Sequence, residues 1–288
     1  MDSNEKLVYL EAHDESSSLT AFDFHDITIM DTKTLKRFYV SYDIFYDREP
    51  AISSDGKYIA FLSAREGSKL SLKFQGIGAP KQLYFFDIKT KLLQKEKLSS
   101  SGLGSDFKFF NNDSCFIYNL SDEIKTWNRY TKEYKILKKF EDVEIREIIL
   151  SKSQKLMVIG CFKTIKLWNL LDDKIVDIKV DGGSNIGGFN TNESKFLFKN
   201  HKTNKLYEFD IQKMDSTEIV LPNDSRICFP YRDFYFKKDG NIVGFATEVS
   251  LPDDDDMIEI VEYDIQKKEY KFLTNDGLQK HSLRYWFE

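Results

Sequence analysis

A five-residue pattern recurs six times along this chain of 288 residues and limits the folds that the chain can adopt. Each copy begins with Ile or Leu, has a bulky fourth residue, aromatic in five copies, and ends with Asp or Asn. Successive fifth positions are separated by 56, 41, 41, 41 and 54 residues, which predicts repeats of about 41 residues. The copies are Ile27-Thr28-Ile29-Met30-Asp31, Leu83-Tyr84-Phe85-Phe86-Asp87, Ile124-Lys125-Thr126-Trp127-Asn128, Ile165-Lys166-Leu167-Trp168-Asn169, Leu206-Tyr207-Glu208-Phe209-Asp210 and Ile260-Val261-Glu262-Tyr263-Asp264.

The spacing within the pattern predicts a β-strand, the marked strand, that is buried on both faces. Successive side chains of a strand point to opposite faces, so the first and fourth residues of each copy lie on opposite faces. The Asp or Asn ends the strand, because its side chain can accept a hydrogen bond from the backbone two residues on. Hairpin signals precede most copies, the strongest being Asp55-Gly56 and Asp239-Gly240. Each repeat is therefore predicted to hold four antiparallel strands, with the marked strand third.

Sheets that are apolar on both faces and repeat every 40 or so residues are typical of propeller blades. The sequence therefore predicts an all-β fold, a β-propeller of about six four-stranded blades that forms a single domain over residues 1–288. Strand candidates at 6–11 and 19–24 can complete the first blade, and 281–288 can then pair with it and close the ring. Alternatively, 281–288 begins a seventh blade and the ring is incomplete.

Two copies of the pattern resemble a known repeat signature. Thr164-Ile165-Lys166-Leu167-Trp168-Asn169 closely resembles the Trp-Asp signature of WD40 repeats, and 121–128, which ends in Trp127-Asn128, is a second match. The chain is thus similar to the WD40 family over most of its length, although the Gly-His dipeptide of that family does not occur. The resemblance implies a propeller that binds proteins on one face. The predicted structural marks are Asp31, Asp87, Trp127, Asn128, Trp168, Asn169, Phe209, Asp210, Tyr263 and Asp264.

The two longest repeat steps contain candidate binding loops. Their extra length falls between the second strand and the marked strand, at 64–81 and 248–257. Equivalent connections leave a propeller on one face, so both insertions are expected on the same side, and long loops on a rigid scaffold often bind partners. Drift in tolerant loops is the alternative. The candidate partner-binding residues are Arg65, Lys69, Lys73 next to Phe74, Asp253, Asp254, Asp255 and Asp256.

The four consecutive aspartates at 253–256 form the densest charge cluster of the chain. They can meet a basic partner, bind a divalent cation weakly, or form a solvated loop. They lack the Gly and the distal Glu of a calcium-binding loop.

Composition excludes several classes of partner. The 42 basic and 47 acidic residues give a net charge of −5 with lysines spread evenly, which disfavours direct binding of nucleic acid. No apolar run approaches the roughly 20 residues of a membrane span. The acidic segment 1–16 lacks a signal-peptide core, so we expect a cytoplasmic protein, with the nucleus as an alternative. Cys115, Cys161 and Cys228 are expected to be buried free thiols.

Motifs of known catalytic chemistry are missing from the sequence. Neither G-x-S-x-G nor H-E-x-x-H occurs, and the four histidines show no metal-ligand spacing. We therefore predict no cofactor, no metal and no enzymatic activity. The alternative is a propeller enzyme with a carboxylate or metal site in its central channel. Three or more carboxylates or histidines converging on the axis would favour this alternative, and a channel lined by small apolar groups would disfavour it.

The leading hypothesis is a non-catalytic scaffold that binds a protein or peptide, a basic one among the alternatives, on the face that carries the two insertions. A propeller module of a larger multi-subunit assembly is a further alternative.

Overall fold

The computed structural model describes most of the chain. The described residues are 5–12, 25–41, 47–63, 65, 82–96, 106–141, 143–180, 184–224, 226–227, 230–238, 240–249, 257–276 and 280–287. They form β-strands and connecting turns, and none of them belongs to a helix long and apolar enough to cross a membrane.

The strands form six antiparallel sheets of four strands each, arranged as blades around a ring. Blade one contains β1 (Glu5–Ala12), β2 (His25–Asp31), β3 (Arg37–Tyr39) and the last strand of the chain, β24 (Lys280–Phe287). Blade two contains β4 (Asp47–Ile52), β5 (Tyr58–Ser63), β6 (Gln82–Asp87) and β7 (Leu93–Glu96), and blade three contains β8 (Lys108–Phe110), β9 (Cys115–Leu120), β10 (Glu123–Asn128) and β11 (Tyr134–Lys139). Blade four contains β12 (Ile145–Leu150), β13 (Leu156–Cys161), β14 (Thr164–Asn169) and β15 (Lys174–Lys179). Blade five contains β16 (Ser184–Phe189), β17 (Lys195–Asn200), β18 (Lys205–Asp210) and β19 (Asp215–Ile219), and blade six contains β20 (Pro230–Phe236), β21 (Ile242–Val249), β22 (Met257–Asp264) and β23 (Glu269–Phe272).

The ring closes within blade one, where the two ends of the chain meet. β24 pairs antiparallel with β1, with Leu7 opposite Tyr285 and Lys6 opposite Trp286, and it takes the innermost place that the first strand has in every other blade. This confirms the six-bladed alternative in which the C-terminal strand completes the first blade. The predicted strand at 19–24 lies outside the described residues.

The marked strands are the third strands of their sheets, and their first and fourth residues are buried as predicted. All twelve of these side chains are at most 4% exposed. In blade three, Ile124 packs in the apolar cluster shared with blade four, whereas Trp127 packs in the cluster shared with blade two. Six such clusters fill the six junctions between neighbouring blades. The core of the molecule therefore lies between blades, which explains why the sheets are apolar on both faces.

The final Asp or Asn of each marked strand closes the next turn, as predicted. In all six blades its side-chain oxygen accepts the backbone N–H of the residue two positions on, over 2.8–3.0 Å. Four positions on, each turn has a residue with φ between 54° and 63°, the left-handed region that turns the chain back. The marks thus define where the third strand stops and the fourth strand starts.

Candidate functional site

The connections between second and third strands differ sharply in length around the ring. They contain 18 residues in blade two (64–81), 12 in blade one (13–24) and seven in blade six (250–256), but two to four in blades three, four and five. Because consecutive antiparallel strands run in opposite directions, all of these connections leave the ring on one face, here called the long-connection face. The 12-residue connection of blade one was not foreseen, so three neighbouring blades carry long connections.

The predicted insertion 248–257 is shorter in the structure. Glu248 and Val249 belong to β21, and Met257 belongs to β22, because both strands extend to eight residues. The predicted partner-binding residues Lys69, Lys73 with its neighbour Phe74, Asp253, Asp254, Asp255 and Asp256 lie outside the described residues.

Arg65 is the one predicted partner-binding residue that the structure describes. Its guanidinium donates two hydrogen bonds, of 3.2 and 3.0 Å, to the carboxylate of Asp47, which is fully buried. It also lies 5.4 Å from the centres of the Phe61 and Tyr84 rings, and only 12% of its side chain is exposed. This geometry anchors the start of the longest connection to blade two.

A buried charge network joins blades six and one beside the long connections. Lys280 of β24 is fully buried and pairs with Glu259 of β22 at 3.2 Å and with Asp276. Arg37 of β3 pairs with the same Asp276 and, at 3.3 Å, with the fully buried Glu11 of β1. Removing one partner of a buried ion pair leaves an uncompensated charge, so this network holds the ring closure in one arrangement. Sequence analysis missed it because its members lie far apart in the chain.

The opposite face, here called the turn face, carries the turns between first and second strands and opens into a cavity on the propeller axis. The cavity has a volume of about 260 Å³. Its wall contains side chains of the innermost strands of blades two to six and of β24, and it extends to the turns of blades two, four and five, at Ser54, Lys152 and Thr191. We call this space the central cavity.

Charged residues of the innermost strands form a belt around the axis. This axial belt consists of Glu49, Asp106, Lys108, Glu147, Asp233 and Arg284. All of them except Glu49 line the central cavity. Three carboxylates therefore converge on the axis, which is the feature that the sequence analysis set as favouring the enzyme alternative.

The belt carboxylates fasten each blade to the next. Glu49 of blade two accepts the N–H of Asp106 at 3.1 Å, and Asp106 accepts the N–H of Ile148 in blade four at 3.0 Å. Glu147 of blade four in turn accepts the N–H of Ile186 in blade five at 2.6 Å. Irregular pairing of the innermost strands frees these N–H groups from their own sheets, and an unpaired buried N–H is costly. The carboxylates supply the missing acceptors.

Blades five and six are joined by close packing at the equivalent position. β16 has Gly187 and Gly188 there, and a Cβ on Gly187 would lie 2.7 Å from the Cβ and 2.9 Å from the carbonyl oxygen of Phe234 in β20. The missing side chain lets the two innermost strands approach each other.

Ion pairs occupy two of the three cavity-lining carboxylates. Asp106 pairs with Lys108 and, at 2.8 Å, with Arg284, which reaches Asp233 at 3.6 Å. Glu147 has no ion pair with any described residue. Burial raises the pKa of Glu147 to about 8, and the nearby Asp106 and Asp233 carboxylates add to the shift. Within the described part of the chain, no group of three or more His, Cys, Asp or Glu residues is placed to hold a metal ion.

Sequence analysis missed the belt, although a weak signal for it exists. Asp106 and Glu147 each precede the final Asn of their repeats, Asn128 and Asn169, by 22 residues. Two carboxylates in register are too few to detect without knowing where the innermost strands run. Of the predicted free thiols, Cys115 and Cys161 are free and buried, as expected, and Cys228 lies outside the described residues.

Comparison with solved structures finds other propellers. TolB from Acinetobacter baumannii is similar with a TM-score of 0.71 at 15% identity, over 99% of this chain and 67% of that one. A chain of the nidogen/laminin complex has a TM-score of 0.67 at 8% identity, over 98% of each chain. A TolB-like protein from Agrobacterium tumefaciens has a TM-score of 0.62 at 12% identity, over 91% of this chain and 98% of that one. No protein-family model and no curated protein matches the sequence.

At these identities the similarity shows the fold alone. The chain is a six-bladed β-propeller with TolB-like structural neighbours. Membership of the WD40 family is not shown by these comparisons and stays a prediction.

Proposed function

We propose that this chain is a non-catalytic scaffold of the cytoplasm that binds a protein or peptide on its long-connection face. The observation that carries the proposal is the grouping of all three long second-to-third connections on the adjacent blades six, one and two. Long loops on a rigid scaffold are where binding residues concentrate. The rigid base is present, because Arg65 and Asp47 anchor one connection and the network around Lys280 holds the blades beneath the others.

Two further points support a role in protein binding. A similar propeller occurs in the structure of a nidogen/laminin complex, an assembly of proteins. The Trp127-Asn128 and Trp168-Asn169 pairs at a spacing of 41 residues support a WD40-like origin, and that family's resemblance implies protein partners. The aspartates at 253–256 lie in one of the three connections and favour a basic partner surface.

Trimming the connections tests the proposal. Segments 64–81 and 250–256 are replaced by four-residue turns, and the proteins captured from native extract by the wild type and by the doubly trimmed chain are compared. The trimmed chain should fold with a thermal transition close to that of the wild type and lose the specific partner. Leu171→Ser, a 73% exposed residue on the turn face, is the matched control and should capture the partner normally. Unchanged capture by the trimmed chain would contradict the site.

A channel-centred enzyme is the second candidate, because three carboxylates line the central cavity and one of them, Glu147, has a raised pKa. A group that holds its proton near neutral pH is suited to general acid catalysis. Against this, two carboxylates are ion-paired and all those with assigned backbone partners fasten blades together. Turnover of chromogenic ester, phosphate or glycoside substrates by the wild type but not by Glu147→Gln would support this candidate.

A further inference from the structure

The central cavity contains one carboxylate whose charge the protein does not balance. Asp106 and Asp233 share the two cations of the cavity wall, Lys108 and Arg284. Glu147 accepts one backbone N–H through Oε1 but has no ion pair among the described residues. Its side chain borders the cavity, so a molecule in the cavity can reach it. Three carboxylates facing two cations leave room for one more positive charge.

Aromatic rings form much of the remaining wall of the central cavity. The rings that line it are those of Phe109, Phe189, Phe234, Tyr235, Phe236, Tyr285 and Trp286. Tyr235 and Tyr285 stack with their centres 4.8 Å apart. Cations are attracted to the faces of aromatic rings, and more strongly where water is excluded. An acid surrounded by rings is a setting that recognises an organic cation better than a strongly hydrated inorganic ion.

The dimensions fit a slender ligand. A volume of about 260 Å³ lies just below the range of about 300–1,000 Å³ that is usual for small-molecule sites. The cavity extends from the belt to the turn face, which is the shape needed by an alkyl chain that ends in a charged group.

We propose that the central cavity binds a single alkylammonium or alkylguanidinium group, with Glu147 as its counter-ion. The ligand enters from the turn face, with its charged end beside Glu147 and its alkyl chain against the aromatic wall. Because the long connections leave the opposite face, this site is separate from the one in the proposed function, and each can fail without the other.

Binding of this cation is linked to pH. Glu147 faces Asp106 and Lys108 from β8 and its flank, Asp233 from β20 and Arg284 from β24, and its pKa is about 8. An arriving cation favours the ionised carboxylate and displaces its proton. Affinity for a ligand that stays charged should therefore rise by about tenfold from pH 7 to pH 9.

The probes are n-butylguanidinium, n-butylammonium and the neutral n-butylurea, titrated into ¹⁵N-labelled protein and followed by NMR. The reporters are the Ile186 amide, which donates to Glu147, and the indole N–H of Trp286. Both cations should shift these signals saturably, and n-butylurea should bind at least tenfold more weakly. Equal binding of n-butylurea, or affinity for n-butylguanidinium that is the same at pH 7 and pH 9, would overturn the proposal.

Glu147→Gln should weaken binding of n-butylguanidinium at pH 9 by at least tenfold and abolish its pH dependence, while its amide oxygen can still accept the Ile186 N–H. Glu269→Gln, an equal charge change at an exposed position of β23, is the control and should bind as the wild type does. Unchanged binding by Glu147→Gln would also overturn the site. If Glu147→Gln fails to fold, the comparison of charged and neutral probes on the wild type decides.

A second arm identifies the source of the cation. Acetyl-Gly-Arg-Gly-amide is titrated alongside n-butylguanidinium. Similar or tighter binding of the peptide supports a basic side chain of a protein partner, whereas binding of n-butylguanidinium alone supports a small free cation. Either result supports the cation site.

Discussion

At the scale of single residues, Glu147 combines two roles that are usually separate. Its carboxyl group fastens blade four to blade five through the Ile186 N–H, and it also borders the central cavity. The first role favours the ionised form, whereas burial and the Asp106 and Asp233 carboxylates favour the protonated form. Burial is the larger effect, and the pKa rises to about 8.

This raised pKa predicts a stability difference that depends on pH. The pKa rises from 4.5 to about 8 on folding, so the folded chain holds this proton more tightly than the unfolded chain. The resulting stabilisation is present below pH 4.5 and is lost as pH rises through 8. The melting temperature of Glu147→Gln relative to the wild type should therefore increase from pH 5 to pH 9, as measured by circular dichroism. A constant difference across this range would contradict the shifted pKa.

At the scale of elements, neighbouring innermost strands are joined in two different ways. Carboxylate side chains bridge β4, β8, β12 and β16, whereas β16 and β20 meet through the small residues Gly187 and Gly188. The two glycines differ in the space that surrounds them. A Cβ on Gly188 would have no neighbour nearer than 3.7 Å, which is ordinary contact.

The two glycines therefore give a matched pair of substitutions. Gly187→Ala places a methyl group 2.9 Å from a backbone oxygen that cannot move independently, and overpacking of this kind costs about 1–3 kcal/mol. Gly188→Ala should change the free energy of unfolding by less than about 0.5 kcal/mol. Urea unfolding of both variants measures the difference. A loss for Gly188→Ala as large as that for Gly187→Ala would show that β16 and β20 are not packed this closely.

The elements could be predicted from the sequence to the extent that their signal is local. The marked strands, their buried faces and their Asp or Asn turns follow from five adjacent residues, and the structure confirms them, as with Ile124 and Trp127. The axial belt depends on residues from different blades that meet only after the ring has closed. Arg284 and Asp106, for example, are 178 positions apart, and no local pattern connects them.

At the scale of the whole molecule, the ring depends on the pairing of its two ends. Trp286 of β24 illustrates the closure, because it is 7% exposed and its indole N–H donates to the carbonyl of Ser54 in blade two at 3.2 Å. The Nζ of Lys6 in β1 lies 4.7 Å from the centre of its ring. At Gly56, a Cβ would lie 2.2 Å from the indole, so the turn of blade two is closely packed against this side chain.

Truncating Trp286 should therefore weaken the whole ring. Trp286→Ala removes a buried indole, and such changes cost about 3–5 kcal/mol. Tyr130→Ala, at a side chain that is 75% exposed, is the control and should stay within about 0.5 kcal/mol of the wild type. Chemical unfolding of both variants measures the difference. Equal effects of the two substitutions would contradict the packing of Trp286 in the closure.

Amide hydrogen exchange, followed by mass spectrometry on the intact chain, tests the closed six-bladed ring most directly. The account predicts that β24 and β1 are protected together, to a degree close to that of β13 in blade four, because β24 is an innermost strand paired along Glu5–Ala12. Fast exchange throughout 280–287, while β13 stays protected, would contradict the closure and with it both proposed sites.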